Sequence, residues 1–127
     1  QAGMKLFEAE DFRGARTHFE IAAAQAPEEG IYLAYRAYSS YASEPTDAAA
    51  RRVLPELERA QELAPRLEQP YVFAALLHEQ LGARDRAMDG MKKALGCNPD
   101  CVEALYSVRA WTPEPEKKSG FLRMFTS

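Results

Sequence analysis

One pattern recurs three times along this chain. A small or β-branched residue is followed four positions later by a large apolar one, three later by alanine, and five later by proline. The copies are Ala15, Phe19, Ala22, Pro27; then Val53, Leu57, Ala60, Pro65; then Ala87, Met91, Ala94, Pro99. Spacing of i, i+4, i+7 puts the first three residues on one face of a helix. Proline then ends that helix, because it has no N–H to donate and it restricts the residue before it. A unit with one apolar helical face cannot cover that face alone, so repeated units must stack on one another. The pattern therefore restricts the chain to an array of helical units. The step from Pro27 to Pro65 is longer than the step from Pro65 to Pro99, so the middle copy carries four extra residues. "SEPTDA" (43–48) is predicted to hold them as a loop, by its Ser, Pro and Asp content.

Composition agrees with an all-α reading. The 127 residues are 46% hydrophobic and 28% charged, enough for one domain with a real core. Alanine occurs 22 times and β-branched residues are sparse. Each repeated pattern reads as the second helix of a pair. The second helices are predicted over 12–26, 47–64 and 84–97, the first over 2–10, 30–43 and 69–82, and a short seventh over 101–111. The domain is taken as 1–111, with 112–127 a linker and a short apolar and basic C-terminal tail. The helical pattern is already running at residue 2 and no initiator methionine precedes it, so a piece of a longer protein is expected.

These features resemble the tetratricopeptide repeat (TPR), a helical hairpin of about 34 residues with the pattern Trp-x2-Leu-Gly-x2-Tyr, then Ala-x3-Phe, then Pro. The third copy fits best. Tyr71, Ala74, Ala75 and His78 stand for the first-helix motif, Gly82 for the turn, then Ala87, Met91 and Pro99. The first copy matches with Gly3, Leu6, Ala15, Phe19, Ala22 and Pro27. The middle copy matches with Leu33 and Ala37 but has Arg36 where leucine is usual and Val53 where alanine is usual. The resemblance spans about residues 2–111. It implies an α-solenoid of about three TPR-like hairpins plus a C-terminal capping helix. Gly3, Ala37 and Ala75 would let paired helices approach, with Phe19, Leu57 and Met91 filling the space between. Trp111 would close the end of the stack.

The resemblance also implies a function: a non-catalytic scaffold or adaptor that binds a protein or peptide on the concave surface lined by the first helices. "GIYLAYRAYSSYAS" (30–43) is the most aromatic of these helices, with Tyr32, Tyr35, Tyr38 and Tyr41 at steps of three. Each such step falls about 60° short of a full helical turn, so the four fan out around the helix and cannot form one stripe. By register, the concave positions are Met4 and Phe7, then Ala34, Tyr38 and Tyr41, then Val72, Leu76 and Glu79. The expected partner-binding residues are Phe7, Tyr38, Tyr41, Val72, Leu76 and Glu79. Tyr32 and Tyr35 would wedge against neighbouring helices. One subfamily grips a peptide's terminal carboxylate with Lys, Arg and Asn on this face. Here the matching positions hold Met4, Tyr38, Val72 and Leu76, so no such clamp is expected. A co-chaperone-type or self-associating module of a larger protein is the alternative.

Other chemistries find no support. Cys97 and Cys101 flank an Asn-Pro-Asp turn, and with His18 and His78 the only histidines they make no zinc quartet. Free thiols are expected, with a strained or regulatory disulfide the alternative. No Ser, Cys and His lie in a nucleophile motif and no glycine-rich phosphate loop is present, so neither catalysis nor a cofactor is predicted. The net charge of −3 gives no general basic face for nucleic acid. No apolar run reaches the roughly 18 residues of a membrane span. Eleven arginines against five lysines, with abundant alanine, fit a GC-rich bacterial gene, and a cytoplasmic protein is expected. In "TPEPEKKSGFLRMFTS", Phe121, Leu122, Met124 and Phe125 share one face of a short helix and read as a motif for self-association or a partner. Its three basic residues would attract an anionic membrane only weakly.

Overall fold

The computed structural model describes residues 2–113, and the tail motif Phe121, Leu122, Met124 and Phe125 lies outside them. Among the described residues seven helices follow one another: α1 (Ala2–Glu8), α2 (Phe12–Gln25), α3 (Gly30–Ser43), α4 (Asp47–Leu63), α5 (Gln69–Gln80), α6 (Arg84–Cys97) and α7 (Val102–Trp111). No strand occurs among the described residues. The starts follow local chemistry. The Asp11 carboxylate accepts from the Gly14 N–H at 3.1 Å, and the Thr46 hydroxyl accepts from the Ala49 N–H at 3.0 Å, each satisfying a donor that the first helical turn leaves free. Pro70 occupies the first turn of α5, where the missing N–H costs nothing.

The four extra residues of the middle unit are not in a loop. The turns inside the three hairpins are equally long, 9–11, 44–46 and 81–83. Instead α4 has 17 residues where α2 and α6 each have 14. The fourth extra residue lies between Pro27 and the end of α3. The capping Thr46, with Asp47 in the first turn and three alanines behind it, starts α4 at the predicted position 47, inside the segment 43–48 expected to be loop.

Each helix packs on its neighbours in chain order, and α3 also packs on α5. That last contact joins the first helices of successive hairpins, the arrangement of a solenoid with an inner curve rather than a closed bundle. Phe19, Leu57 and Met91 are buried, as are the small residues Gly3, Ala37 and Ala75. One core cluster joins α2, α3, α4 and α5 and includes Phe19, Tyr35, Val53, Leu57, Phe73 and Leu77. A second joins α5, α6 and α7 through Val72, Ala75, Met91, Ala94 and Ala104. Arg36, out of place in the repeat pattern, is satisfied by Glu56 of α4 at 2.9 Å. Trp111 packs against the second cluster, with the Arg84 guanidinium 5.2 Å above its ring.

Candidate functional site

On the inner curve, α1, the first hairpin turn and the first turn of α2 meet α3, α5 and the start of α7 around a cleft of about 340 Å³. Its wall residues are Phe7, Glu8, Glu10, Phe12, Tyr38, Gln69, Val72, Phe73, Leu76 and Glu103. Aromatic rings make the floor. Tyr38 stacks on Phe73 with centroids 4.5 Å apart and planes 18° from parallel. Phe7 meets Phe73 at 5.8 Å, Tyr38 at 6.0 Å and Phe12 edge-on at 5.3 Å. Behind this layer, Tyr35 stacks on Phe19 at 5.1 Å and meets Phe7 and Phe73 edge-on. Such pairs each contribute about 0.5–1.5 kcal/mol beyond the area they bury, so the floor is held rigid from three hairpins at once.

The structure brings Phe7, Tyr38, Val72 and Leu76 together in this cleft. It separates the other two predicted residues. Tyr41 is 9% exposed and belongs to the first core cluster. It lies three positions beyond Tyr38, so its side chain is turned about 60° out of the cleft, toward the start of α4. Burial there, with Asp47 adding to it, raises the pKa of its hydroxyl. Glu79 points to the α5–α6 turn, where its carboxylate accepts two bonds from the Arg84 guanidinium. That pairing holds the carboxyl below its ordinary pKa. Ala34, also expected on the concave face, is fully buried. Val72 lines the cleft from beneath: at 1% exposure it is floor, not a contact arm.

Two floor residues are not apparent from the repeat register. Phe73 sits beside Val72, at a position the register assigns to neither face. Phe12 follows the Asp11 cap and reads as the first residue of a second helix. The available signal is their aromatic character, in a chain whose other first-helix aromatics converge on the same surface.

The rim is acidic. Glu8, Glu10 and Glu103 line it, and no lysine, arginine or histidine does so among the described residues. The floor feels that charge. Burial, with Tyr41 and Glu10 adding to it, pushes the Tyr38 hydroxyl above its ordinary pKa of 10.0. Burial, then Glu103, Glu68 and Glu8, do the same at Tyr35. Glu10 also has φ of 62°, a left-handed conformation that costs a non-glycine residue roughly 1 kcal/mol or more. A second cleft, bounded by α4, α5 and α6, differs in kind. It sets Glu58 and Asp89 against Arg86, Lys93 and a partly buried His78. Its charges largely offset one another. Burial and then Arg86 lower the His78 pKa, against an opposing pull from Glu58. Cys97 and Cys101 are free thiols whose pKa values burial raises, which disfavours the nucleophilic thiolate.

This architecture is that of the TPR α-solenoid. No protein-family profile matches the sequence, and no curated protein matches it either. Solved structures do. The first TPR domain of the human RPAP3 protein superposes with a TM-score of 0.72 at 15% identity, over 87% of this chain and 84% of that one. The Sgt2 TPR domain from Aspergillus fumigatus gives 0.72 at 16%, over 87% and 72%. The first TPR of Spaghetti (RPAP3), bound to the HSP90 peptide SRMEEVD, gives 0.70 at 17%, over 87% and 84%. At these identities the likeness carries the fold: the chain has the TPR fold.

Proposed function

We propose that this chain is a non-catalytic protein-interaction module that receives a peptide or helix in the cleft on its inner curve. The observation that carries the reading is the Tyr38–Phe73 stack at the foot of a cleft walled by Phe7, Phe12 and Leu76. Rigid aromatic area with a polar tip binds at low entropic cost, because few rotors are frozen. The Spaghetti TPR, of the same fold, is bound to a peptide, SRMEEVD of HSP90. The ligand chemistry here differs. A peptide rich in carboxylates would meet Glu8, Glu10 and Glu103 and no clustered cations, so a co-chaperone role through that kind of peptide is disfavoured. An apolar ligand carrying basic residues fits. A second reading, self-association, draws on α7, whose outer face leaves Val102 73% and Tyr106 74% exposed.

The test is selection of peptides from a random library on the folded chain, followed by titration against variants. Leu76→Glu is expected to weaken the selected peptides at least about 30-fold, the roughly 2 kcal/mol of an interface hot spot. Helix content measured by circular dichroism should stay unchanged. Selected peptides should also be enriched in Lys or Arg beside aromatic and aliphatic residues. Equal affinity for wild type and Leu76→Glu would remove the cleft as the site.

A further inference from the structure

The proposed cleft is apolar at its floor and acidic at its rim, and this chain carries a segment of complementary chemistry. Residues 117–125 hold Lys117, Lys118 and Arg123 and no acidic residue, interleaved with Phe121, Leu122, Met124 and Phe125. We infer that this segment is an intramolecular occupant of the cleft, seating its aromatic residues against Leu76 and the Tyr38–Phe73 stack, with its cations facing Glu8, Glu10 and Glu103. The inference rests on the cleft being a peptide site, and it makes that site self-occluding: an outside partner must displace the chain's own segment.

Three observations favour this occupant. Charge complementarity is the first: the three carboxylates lining the cleft have no cation among its described walls, and the segment brings three. Reach is the second. Glu103 on the cleft wall and Trp111 are both on α7, eight positions and so about 12 Å apart along the axis. Residues 112–120 can span up to about 30 Å when extended, so the segment reaches its own cleft with slack. Composition of the connection is the third. Pro113 and Pro115 each fix one backbone angle, so the connection has less conformational entropy to lose when the segment docks. A short tether gives a local concentration on the order of 1 mM. For a segment whose free peptide binds at about 0.1 mM, occupation would therefore reduce apparent affinity for competitors about tenfold.

The experiment uses the full chain and a labelled synthetic peptide of residues 114–127 as probe. The peptide is titrated into wild type and into the triple variant Phe121→Ser, Leu122→Ser, Phe125→Ser. The triple variant is expected to bind the peptide about tenfold more tightly than wild type. Adding Glu10→Lys and Glu103→Lys to the triple variant should erase most of that binding, and raising salt should weaken it. Equal affinity of wild type and triple variant overturns the inference, as does indifference to the rim reversal. A wild-type dimer in sedimentation that the triple variant does not form would give the segment to a second copy and overturn the intramolecular form. Amide protection lost from α7 around Val102, Leu105 and Tyr106 in the triple variant, instead of around Leu76, would place the segment on α7 and also overturn it. Library-selected peptides separate the two levels. If they bind and lose affinity with Leu76→Glu while the 114–127 peptide does not bind, the cleft stands and this occupant falls. If neither binds, both fall.

Discussion

At the scale of single residues, Glu10 concentrates the tension between stability and use. It takes the turn position in the first hairpin that Gly82 takes in the third, and both have positive φ, 62° and 81°. Glycine adopts that conformation without steric cost, whereas glutamate does not. The glutamate side chain nevertheless lines the rim of the cleft and adds, after burial and Tyr41, to the raised pKa of Tyr38. Strained residues persist where surrounding structure holds them and where their side chains are used. Glu10→Gly is expected to raise stability by about 0.5–1 kcal/mol, the relief of left-handed strain less the added freedom of the unfolded chain. A higher urea midpoint at unchanged m-value would register it, and a lower midpoint would contradict the strain. The same variant should weaken cationic peptides, so stability and binding would move in opposite directions.

At the scale of elements, close approach of helices depends on which positions lack a side chain. A Cβ at Gly30 would lie 2.7 Å from the Ala60 carbonyl oxygen and 2.9 Å from the Ala64 Cβ, and backbone cannot step aside as a flexible side chain can. Gly30 is therefore where α3 crosses the end of α4. At Gly96, in the last turn of α6, a Cβ meets nothing within 4 Å. Gly30→Ala is expected to cost about 1–3 kcal/mol through overpacking. Gly96→Ala is expected to be neutral or stabilising by up to about 1 kcal/mol through helix propensity. Thermal melts of the two variants side by side check this, and equal shifts would mean that the α3–α4 crossing is looser than these distances imply.

At the scale of the whole molecule, the fold and the cleft share their material. Phe73 of α5 touches Phe7 of the first hairpin and Tyr35 and Tyr38 of the second, so one ring ties three hairpins together. In a stacked array, stability is roughly the sum of each unit and its interfaces, and interface rings carry the cooperativity. Phe73→Ala is expected to cost about 3–5 kcal/mol. Hydrogen exchange in α1 and α2 should then become faster than in α6 and α7, which belong to the other core cluster. Uniform acceleration across all seven helices would mean that the array unfolds as one unit and that Phe73 is no special tie.

Much of this is present in the order of residues. Prolines at 27, 65 and 99, the small residues at 15, 37, 75 and 87, and the caps before α2 and α4 are local signals, each acting within a turn or two of helix, so hairpin number and helix extent follow from them. The buried ranks of Phe19, Leu57 and Met91 follow as well, because repeating units must face their neighbours. The cleft is only half legible. Whether Tyr38 or Tyr41 faces a ligand depends on about 60° of rotation around the α3 axis, and that rotation is decided by what α4 and α5 press against it. Phe12 and Phe73 join Phe7 only because three hairpins curve toward one another, and Glu103 reaches the rim only because α7 closes the stack. Residue order determined the hairpins through short-range chemistry, whereas the aromatic floor and its acidic rim depend on the angles between hairpins, which arise only when side chains from distant units compete for the same space.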